Sequence, residues 1–498
     1  MSVIDYSDVQ GLVRFGYPRM IEACFFLLRV ESPAAARSWL KDVSITTAEK
    51  LAEPPKTALH VAFTCQGLRA LGVPEDMIKG FSPEFISGMA GEESRSRRLG
   101  DVKANSPARW QWGGPGNEPH VLVMLYAEPG RLEGWKQTVK GPFWDAAFQV
   151  LHCLPISNLD GVEPFGFVDG ISQPEIDWNR ERQLDGSDEL EYGNLVALGE
   201  FLLGYPNEYG KYTDRPVVDP KDDPENKLRP AEDQNDKRDV GLNGTYLVLR
   251  QLRQDVPGFW QFLDKQANSD PEERRRLAEA MVGRTMDGKP LVATTSRPIA
   301  GTGPDDIELN GFTYESDSAG IRCPFGAHIR RANPRNADLP LGVTGFFSRL
   351  IRILGFGRKS IRDDMIASTR FHRILRRGRE YGPGLSPEDA LRARETEGEE
   401  RGLHFVCLNA NIGRQFEFVQ NAWMMGTKFD GLTEESDPLL GNREPVPGCV
   451  SADTFSIPQQ NGLRRCIGGV PQFVTVRGGA YFFLPGIRAL RYLASLGG

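Results

Sequence analysis

The chain has 498 residues, of which 40% are hydrophobic and 26% charged, with a formal net charge of −7 and an isoelectric point near 5.6. This composition is typical of a soluble globular protein with two or three domains or one large duplicated unit. The acidic balance argues against nucleic acid as the main partner, and no apolar run is long enough to span a bilayer.

The first part of the chain alternates strands and helices. Runs that mix β-branched and aromatic residues and end at turn-forming residues predict strands at 22–30, 58–65, 120–127 and 148–156. A helix is predicted over 33–43 because proline fits the first turn of a helix and Pro33 stands there. This order predicts an α+β domain over residues 1–177.

Residues 178–240 are polar and rich in Asp, Glu, Asn, Pro and Gly, which indicates a surface insert or linker. The stretch GEFLLGYPNEYG (199–210) within it carries apolar and aromatic residues and is predicted to be ordered. Strands are then predicted at 244–252, 403–410 and 472–485, and helices at 257–267, 272–282 and 412–425. A second α+β unit of similar type is therefore expected over residues 241–498.

A basic amphipathic segment at 341–370 interrupts the second unit. The residues expected on its apolar face are Phe346, Phe347, Leu350, Ile351 and Leu354, and its positive charges are Arg349, Arg352, Arg358, Lys359 and Arg362. We favour packing of the apolar face on this protein or on a second subunit. Contact with an anionic membrane surface is the alternative, because basic amphipathic helices bind such surfaces.

The cysteines carry a prediction about the cellular compartment. The seven are Cys24, Cys65, Cys153, Cys323, Cys407, Cys449 and Cys466. An odd number without a CxxC pair indicates reduced thiols, not a disulfide framework or a zinc site. The N-terminal sequence lacks a basic segment followed by an apolar stretch and a cleavage site, so we expect a cytoplasmic protein.

Asp169 is the first candidate for chemistry and lies in the stretch GFVDGISQP (166–174). Gly166 and Gly170 flank it, and glycine permits backbone conformations and close approaches that other residues forbid. A carboxylate held in this way can face a ligand at short range. The alternative is an ordinary turn aspartate, since Asp and Gly are common in turns.

His328 is the second candidate, because three arginines follow it in CPFGAHIRRANPRN (323–336): Arg330, Arg331 and Arg335. An imidazole can ligate a haem iron while guanidinium groups pair with the haem propionates. An ordinary core or surface histidine is the alternative. Cys466 is a rival iron ligand, because GLRRCIGG (462–469) carries the G-x-R-x-C-x-G core of a haem-thiolate monooxygenase loop, although Gln459 stands where that loop has Phe.

Three stretches taken together resemble the dye-decolourising peroxidase family. GFVDG resembles its GxxDG signature, HIRRANPR (328–335) its haem-histidine segment and RILRRGREYG (373–382) its distal-arginine segment. The order of the stretches agrees with the family, and further similarity covers most of the chain. The interval from His328 to Arg376 resembles that of the longer members, because of the 341–370 insert.

The resemblance implies two ferredoxin-like domains with antiparallel sheets and peripheral helices, and one haem b per chain in the C-terminal half. It implies a peroxidase that reduces hydrogen peroxide and oxidises dyes, phenols or other one-electron donors. A haem-binding or haem-handling protein without turnover is the alternative, and such a protein does not need Asp169 and Arg376 together. A homo-oligomer is left open.

The resemblance also implies roles for residues around the haem iron. His328 is expected to be the proximal ligand to the iron, and Asp169 the distal acid–base group. Arg376, with Arg377 as the alternative, is expected to stabilise the negative charge that develops when the O–O bond breaks. Tyr381 stands where some members have a radical-forming surface tyrosine, and the alternative is a packed turn tyrosine.

Three further residues are expected near the haem. Leu403 and Phe405 are predicted to line the distal pocket, although core packing explains them as well. A proximal histidine needs a hydrogen-bond acceptor for its second ring nitrogen. Glu417 is the predicted acceptor, with Asp430 as the second choice and a surface helical carboxylate as the alternative reading of Glu417.

Overall fold

A computed structural model describes residues 4–181, 192–295, 299, 301–336, 368–393, 400–443 and 451–496. Almost all of the predicted segment 341–370 lies outside these ranges, so its helix and its contact with a subunit or membrane stay predictions. Within the described ranges, no helix is both long enough and apolar enough to cross a membrane.

The described residues form sixteen strands, most of them in one antiparallel sheet. The strands are β1 (Glu22–Val30), β2 (Thr57–Phe63), β3 (Val121–Ala127), β4 (Phe148–Pro155), β5 (Glu175–Asp177), β6 (Leu195–Ala197), β7 (Val217–Val218), β8 (Arg229–Pro230), β9 (Arg238–Asp239), β10 (Thr245–Gln254), β11 (Leu375–Arg376), β12 (Arg379–Tyr381), β13 (Gly402–Asn409), β14 (Phe455–Ile457), β15 (Arg465–Ile467) and β16 (Val474–Leu484). The main sheet has the order β11-β13-β10-β16-β2-β3-β1-β4, and β12 also pairs with β13.

The α-helices that bury side chains against this sheet pack on one of its faces, and residues 4–20 and 196–205 cover the other. The α-helices in the described residues are α1 (Pro33–Asp42), α2 (Cys65–Ala70), α3 (Glu75–Ile78), α4 (Pro83–Ser87), α5 (Glu93–Leu99), α6 (Leu132–Lys140), α7 (Trp144–Ala147), α8 (Val256–Gln266), α9 (Pro271–Val282), α10 (Ile307–Asn310), α11 (His328–Ala332), α12 (Ser368–Phe371), α13 (Pro387–Ala390) and α14 (Ile487–Ser495). Two consecutive segments with wide, π-type turns, Gly413–Glu417 and Val419–Met425, follow β13.

The sheet consists of two halves with the same strand order. In the first half, the order β2-β3-β1-β4, with α1 after β1 and α6 after β3, is the βαββαβ arrangement of a ferredoxin-like unit. In the second half, β10 lies between β13 and β16 in the same way. The halves join edge to edge, since Phe483 of β16 pairs with Phe63 of β2. The predicted α+β fold with antiparallel sheets is confirmed, and the domain boundaries stay predictions.

Strands β1, β2 and β3 are mainly apolar because both faces of the sheet are buried there. Side chains alternate between the faces of a strand. On β1, Phe26 and Leu28 pack into one hydrophobic core, and Phe25 and Leu27 pack into the other. Burying one such side chain contributes roughly 1.5–3 kcal/mol, so a core on each face stabilises the sheet that both halves share.

A disulfide joins Cys24 of β1 to Cys153 of β4, so the prediction that all cysteines are reduced is wrong. The two strands are antiparallel neighbours, and Phe26 is the residue opposite Cys153. Strand pairing brings the two cysteines to a Cα–Cα distance of 6.5 Å across a sequence separation of 129 residues. Cysteine spacing carries no signal of this pairing, because the pairing depends on the strand order.

Candidate active site

A cavity of about 260 Å³ lies against the second half of the sheet. Its apolar walls include Phe165, Phe167, Leu252, Leu403, Phe405, Phe416, Leu439 and Val474. Four of the predicted polar residues also line it, namely Asp169 from the loop after β4, His328 from α11, Arg335 shortly after α11 and Arg376 from β11. The structure therefore brings residues from three separate sequence stretches into one apolar cavity.

His328 is the first residue of α11, and a buried carboxylate holds its ring. Its Nδ1 lies 2.9 Å from Oδ2 of Asp437, which is completely buried. The other oxygen of Asp437 accepts the backbone N–H groups of Leu439 and Leu440 at 2.9 and 2.8 Å. Because Asp437 accepts the proton on Nδ1, Nε2 of His328 keeps its lone pair, which is the arrangement that a metal-ligating histidine requires.

The electrostatics of this pair favour an ionised Asp437. Burial raises the pKa of Asp437, but the charge and the hydrogen bond of His328 outweigh burial and hold that pKa below its usual range. Burial lowers the pKa of His328, whereas Asp437 raises it more, so the net change is upward.

The prediction that Glu417 accepts the hydrogen bond from His328 is wrong. In the π-type segment Gly413–Glu417, the Glu417 side chain turns to α5, where Oε1 accepts from Nε of Arg95 at 2.7 Å. The same oxygen accepts from the hydroxyl of Tyr481 at 2.9 Å. Asp430, the second choice, instead lies 4.0 Å from Arg330.

Asp169 and Arg376 form an ion pair on the cavity wall. Oδ1 of Asp169 accepts from Nη1 of Arg376 at 2.8 Å. The backbone N–H of Arg376 donates to Oε1 of Gln173 at 2.9 Å, which fixes β11 against the loop that carries Asp169. Burial raises the pKa of Asp169, but the Arg376 charge and the N–H of Gly170 outweigh it and lower that pKa overall. The carboxylate is therefore ionised at acidic pH.

Arg376, and not Arg377, faces the cavity. Successive residues of a strand point to opposite faces. Arg377 turns to the N-terminal segment, where Nε donates to the carbonyl oxygen of Leu12 at 2.8 Å and Nη2 to that of Val13 at 3.0 Å.

The two glycines beside Asp169 have a conformational role. Gly166 has a φ of +100° and Gly170 a φ of +77°, a region that side chains other than glycine rarely adopt. A Cβ atom on Gly170 would meet no atom within 4 Å. Left-handed backbone therefore explains the glycine at position 170, and its close approach to a ligand stays a prediction.

The arginines after His328 do not act as one group. Arg335 lines the cavity, and its Nη1 donates to the carbonyl oxygen of Phe312 at 2.6 Å. Arg330 and Arg331 are buried inside the protein: Arg330 donates to the carbonyl oxygen of Cys323, and Arg331 to those of Trp423 and Glu435. Their predicted contact with haem is wrong, because α11 turns these two side chains away from the cavity.

Two cavity arginines were not predicted as site residues. Arg284 and Arg373 line the cavity with Arg335 and Arg376. Arg373 opens the stretch RILRRGREYG, and Arg284 lies in MVGRTMDGKPL, so both fall in stretches that the family resemblance covers. Only the folded chain shows that these side chains converge.

Tyr381 is buried, and it lies on the face of the sheet opposite the cavity. Only 6% of it is exposed, and its ring stacks on His404 with centroids 4.5 Å apart. Leu403 and Phe405 line the cavity, and their place on its distal side stays a prediction. His404 between them points to the opposite face together with Tyr381. The prediction of a surface position for Tyr381 is therefore wrong.

The rival iron ligand lies outside the cavity. Cys466 is an exposed residue of β15, and its Sγ lies 3.6 Å from the hydroxyl of Ser456. Its hairpin, β14–β15, carries none of the cavity-lining residues.

The chain resembles proteins of one kind over nearly its whole length. It is 27% identical to the dye-decolorizing peroxidase msp1 of Mycetinis scorodonius, covering 99% of this chain and 88% of that protein. It is 28% identical to the multifunctional dye peroxidase DyP2 of an Amycolatopsis species, covering 92% and 86%. The crystal structure of a fungal DyP-type peroxidase from Auricularia auricula-judae superposes with a TM-score of 0.72 at 25% identity, covering 99% of this chain and all of that one. No protein-family model matches the chain.

Proposed function

We propose that this chain, a full-length relative of the dye-decolorizing peroxidases, is a haem peroxidase that reduces hydrogen peroxide and oxidises dyes, phenols or other one-electron donors. The observation that carries the proposal is the content of one cavity. A histidine with its Nδ1 committed to Asp437 lines the same cavity as the Asp169–Arg376 ion pair. These are the groups that peroxide activation at a haem needs.

The lining of the cavity suits haem b in its polarity and charge. Its walls are mainly apolar, as a porphyrin requires, and Nε2 of His328 is available to ligate the iron. Four arginines line it against two carboxyl groups, Asp169 and Glu163, and burial raises the pKa of Glu163 to about 7. This excess of positive charge suits a dianionic ligand, and Arg335 is the residue that we expect to hold a propionate.

The distal residues provide acid–base chemistry. A bound haem supplies the redox-active iron at which the O–O bond is cleaved. The carboxylate of Asp169 accepts a proton from one oxygen of hydrogen peroxide and delivers it to the other oxygen, which leaves as water. The guanidinium of Arg376 stabilises the negative charge on the departing oxygen and keeps Asp169 ionised at acidic pH.

A haem-binding protein without turnover is the alternative function. Such a protein requires the His328–Asp437 pair and the apolar walls. Haem binding alone does not require the carboxylate of Asp169 and the guanidinium of Arg376 to lie 2.8 Å apart on the cavity wall. The ion pair is the feature that favours the enzyme.

Reconstitution with haem tests the proposed function. Haem-free protein is titrated with haem, and the Soret band and the peroxide-dependent oxidation of 2,6-dimethoxyphenol are recorded. We expect wild type to give both and His328→Ala to lose the oxidation, whereas His152→Ala, outside the cavity, behaves as wild type. A Soret band without phenol oxidation would favour the haem-handling alternative, and a His328→Ala variant with full activity would contradict the ligand assignment.

The cytoplasmic location is also part of the proposal, and the Cys24–Cys153 disulfide argues against it, because disulfides persist mainly in oxidising compartments. Mass spectrometry of alkylated protein from its native cells distinguishes the cytoplasm from an oxidising compartment. A free Cys153 thiol supports the cytoplasmic location, and an oxidised Cys153 contradicts it. The homo-oligomer stays a prediction.

A further inference from the structure

We infer that Glu163 is a positioning residue, which holds the Asp169 loop in its active conformation and fastens that loop to strand β10 of the other half of the sheet. This inference rests on the proposed function, because it assigns a purpose to a carboxyl group next to the distal acid–base residue. Glu163 lines the same cavity as Asp169 and lies six residues before it.

Glu163 closes the loop on itself through side chain and backbone. Its Oε2 accepts the N–H of Phe165 at 3.1 Å, and its Oε1 accepts the N–H of Phe167 at 3.2 Å. Its backbone N–H donates to the carbonyl oxygen of Phe167 at 2.8 Å, and its carbonyl oxygen accepts the N–H of Gly166 at 2.8 Å. The left-handed Gly166 stands inside this ring of bonds, which sets the direction of the chain toward Asp169.

The same carboxyl group connects the loop to the sheet. Oε2 of Glu163 accepts from Nε2 of Gln254 at 2.7 Å. Gln254 is the last residue of β10, is buried, and also lines the cavity. The loop follows β4 of the first half, so this hydrogen bond joins an element of one half to a strand of the other at the cavity wall.

Two neighbouring contacts hold the loop at Phe165 and Val168 independently of Glu163. Nε1 of Trp260 donates to the carbonyl oxygen of Phe165, and the N–H of Val168 donates to that of Met286, both at 3.1 Å. These bonds keep the loop on the protein when Glu163 is changed. The loss expected without Glu163 is therefore one of geometry at Asp169, not detachment of the loop.

The need is for a hydrogen-bond acceptor, not for a charge. Burial raises the pKa of Glu163 to about 7, so at the acidic pH where Asp169 is ionised the group is mostly a neutral acid. Glutamine keeps one carbonyl oxygen, which can still accept from Phe165 and Gln254, but its amide nitrogen cannot accept the N–H of Phe167. Leucine has a similar size but leaves the N–H groups of Phe165 and Phe167 without an acceptor.

The test compares variants at position 163 in two backgrounds. The rate of the Soret change on adding hydrogen peroxide is measured for Glu163→Leu and Glu163→Gln, each with Asp169 and with Asp169→Asn. We expect Glu163→Leu to slow the reaction about tenfold or more when Asp169 is present and less than about twofold in the Asp169→Asn background, because a positioning residue acts through its partner. Glu163→Gln keeps one of the two acceptor oxygens, so its rate is expected to lie between those of Glu163→Leu and wild type.

A second variant and a second readout keep the inference testable if Glu163→Leu folds poorly. Gln254→Leu removes only the bond to β10 and is expected to slow the peroxide reaction by a smaller factor. Amide hydrogen exchange of residues 161–170 in the haem-free protein is expected to speed up in both leucine variants, and to speed up less in Glu163→Gln than in Glu163→Leu.

Equal slowing by Glu163→Leu in both backgrounds would overturn the inference, and so would unchanged exchange in the 161–170 segment. If Asp169→Asn alone leaves the peroxide rate unchanged, the role proposed for Asp169 fails. In that case the exchange measurement on haem-free protein still supports or refutes the loop-holding role of Glu163.

Discussion

Replacing Asp437 with asparagine tests whether this buried carboxylate prepares His328 for iron. The substitution keeps the size of the side chain and one oxygen for the N–H groups of Leu439 and Leu440. It places an amide N–H₂ or a neutral oxygen opposite Nδ1 of His328. An N–H₂ group there favours the tautomer with the proton on Nε2, and that proton blocks ligation.

The magnitude follows from the loss of one hydrogen bond to a charged group. Such a bond contributes about 1.5–3 kcal/mol, and partners of metal-bound histidines typically contribute 10- to 100-fold in affinity or activity. We expect Asp437→Asn to weaken haem binding by about 10- to 100-fold, which corresponds to roughly 1.4–2.7 kcal/mol.

Glu417→Gln is the matched control, because Glu417 is another buried carboxylate near the cavity but binds Arg95 and Tyr481. Haem affinity is measured by Soret titration of folded, haem-free protein, and the iron–imidazole stretch by resonance Raman spectroscopy. Asp437→Asn should lower both the affinity and the stretching frequency, and Glu417→Gln neither. An unchanged frequency in Asp437→Asn, or a larger change in Glu417→Gln, would refute the reasoning.

Three further predictions follow from the same geometry. Arg376 lowers the pKa of Asp169, so Arg376→Leu should raise that pKa and move the acid limb of the kcat/KM profile for peroxide to higher pH. The control Arg377→Leu should leave the acid limb in place, and an acid limb unmoved by Arg376→Leu would contradict the pairing. Tyr381→Phe should change the rates with bulky dyes and small phenols by the same factor, and selective loss of dye oxidation would show that a tyrosine on the far face of the sheet carries electrons. Arg331→Met should lower the free energy of unfolding in urea by about 3 kcal/mol, because buried carbonyl groups lose their donor, and a loss under about 1 kcal/mol would refute that role.

Much of the fold follows from local sequence signals. The strand predicted at 22–30 and the helix predicted at 272–282 agree with β1 and α9 to within one residue. Apolar runs or helical periodicity between turn residues predict these elements, and tertiary packing stabilises the same conformations. Which strands become neighbours is not a local property, so the Cys24–Cys153 disulfide escaped prediction.

The candidate site also contains residues that local sequence patterns predict and residues that only the folded chain reveals. Asp169, His328 and Arg376 lie in short stretches with an unusual local pattern, and the structure brings all three to one cavity. Asp437 had no such signal, because its contact with His328 spans 109 residues and depends on how the chain folds back after the π-type helix. The predicted contact of Arg330 with haem is wrong, because the sequence does not tell which face of the five-residue helix α11 meets the cavity.

The central claim is that Asp169 is the acid–base group for hydrogen peroxide, and stopped-flow spectroscopy of the haem-loaded protein tests it most directly. The rate of the Soret change on mixing with peroxide is compared for wild type, Asp169→Asn and the control Glu175→Gln, a carboxylate outside the cavity. General acid–base groups typically contribute about 10²- to 10⁴-fold, so Asp169→Asn should react at least about 100-fold more slowly while Glu175→Gln matches wild type. An Asp169→Asn variant that reacts at the wild-type rate would contradict the account.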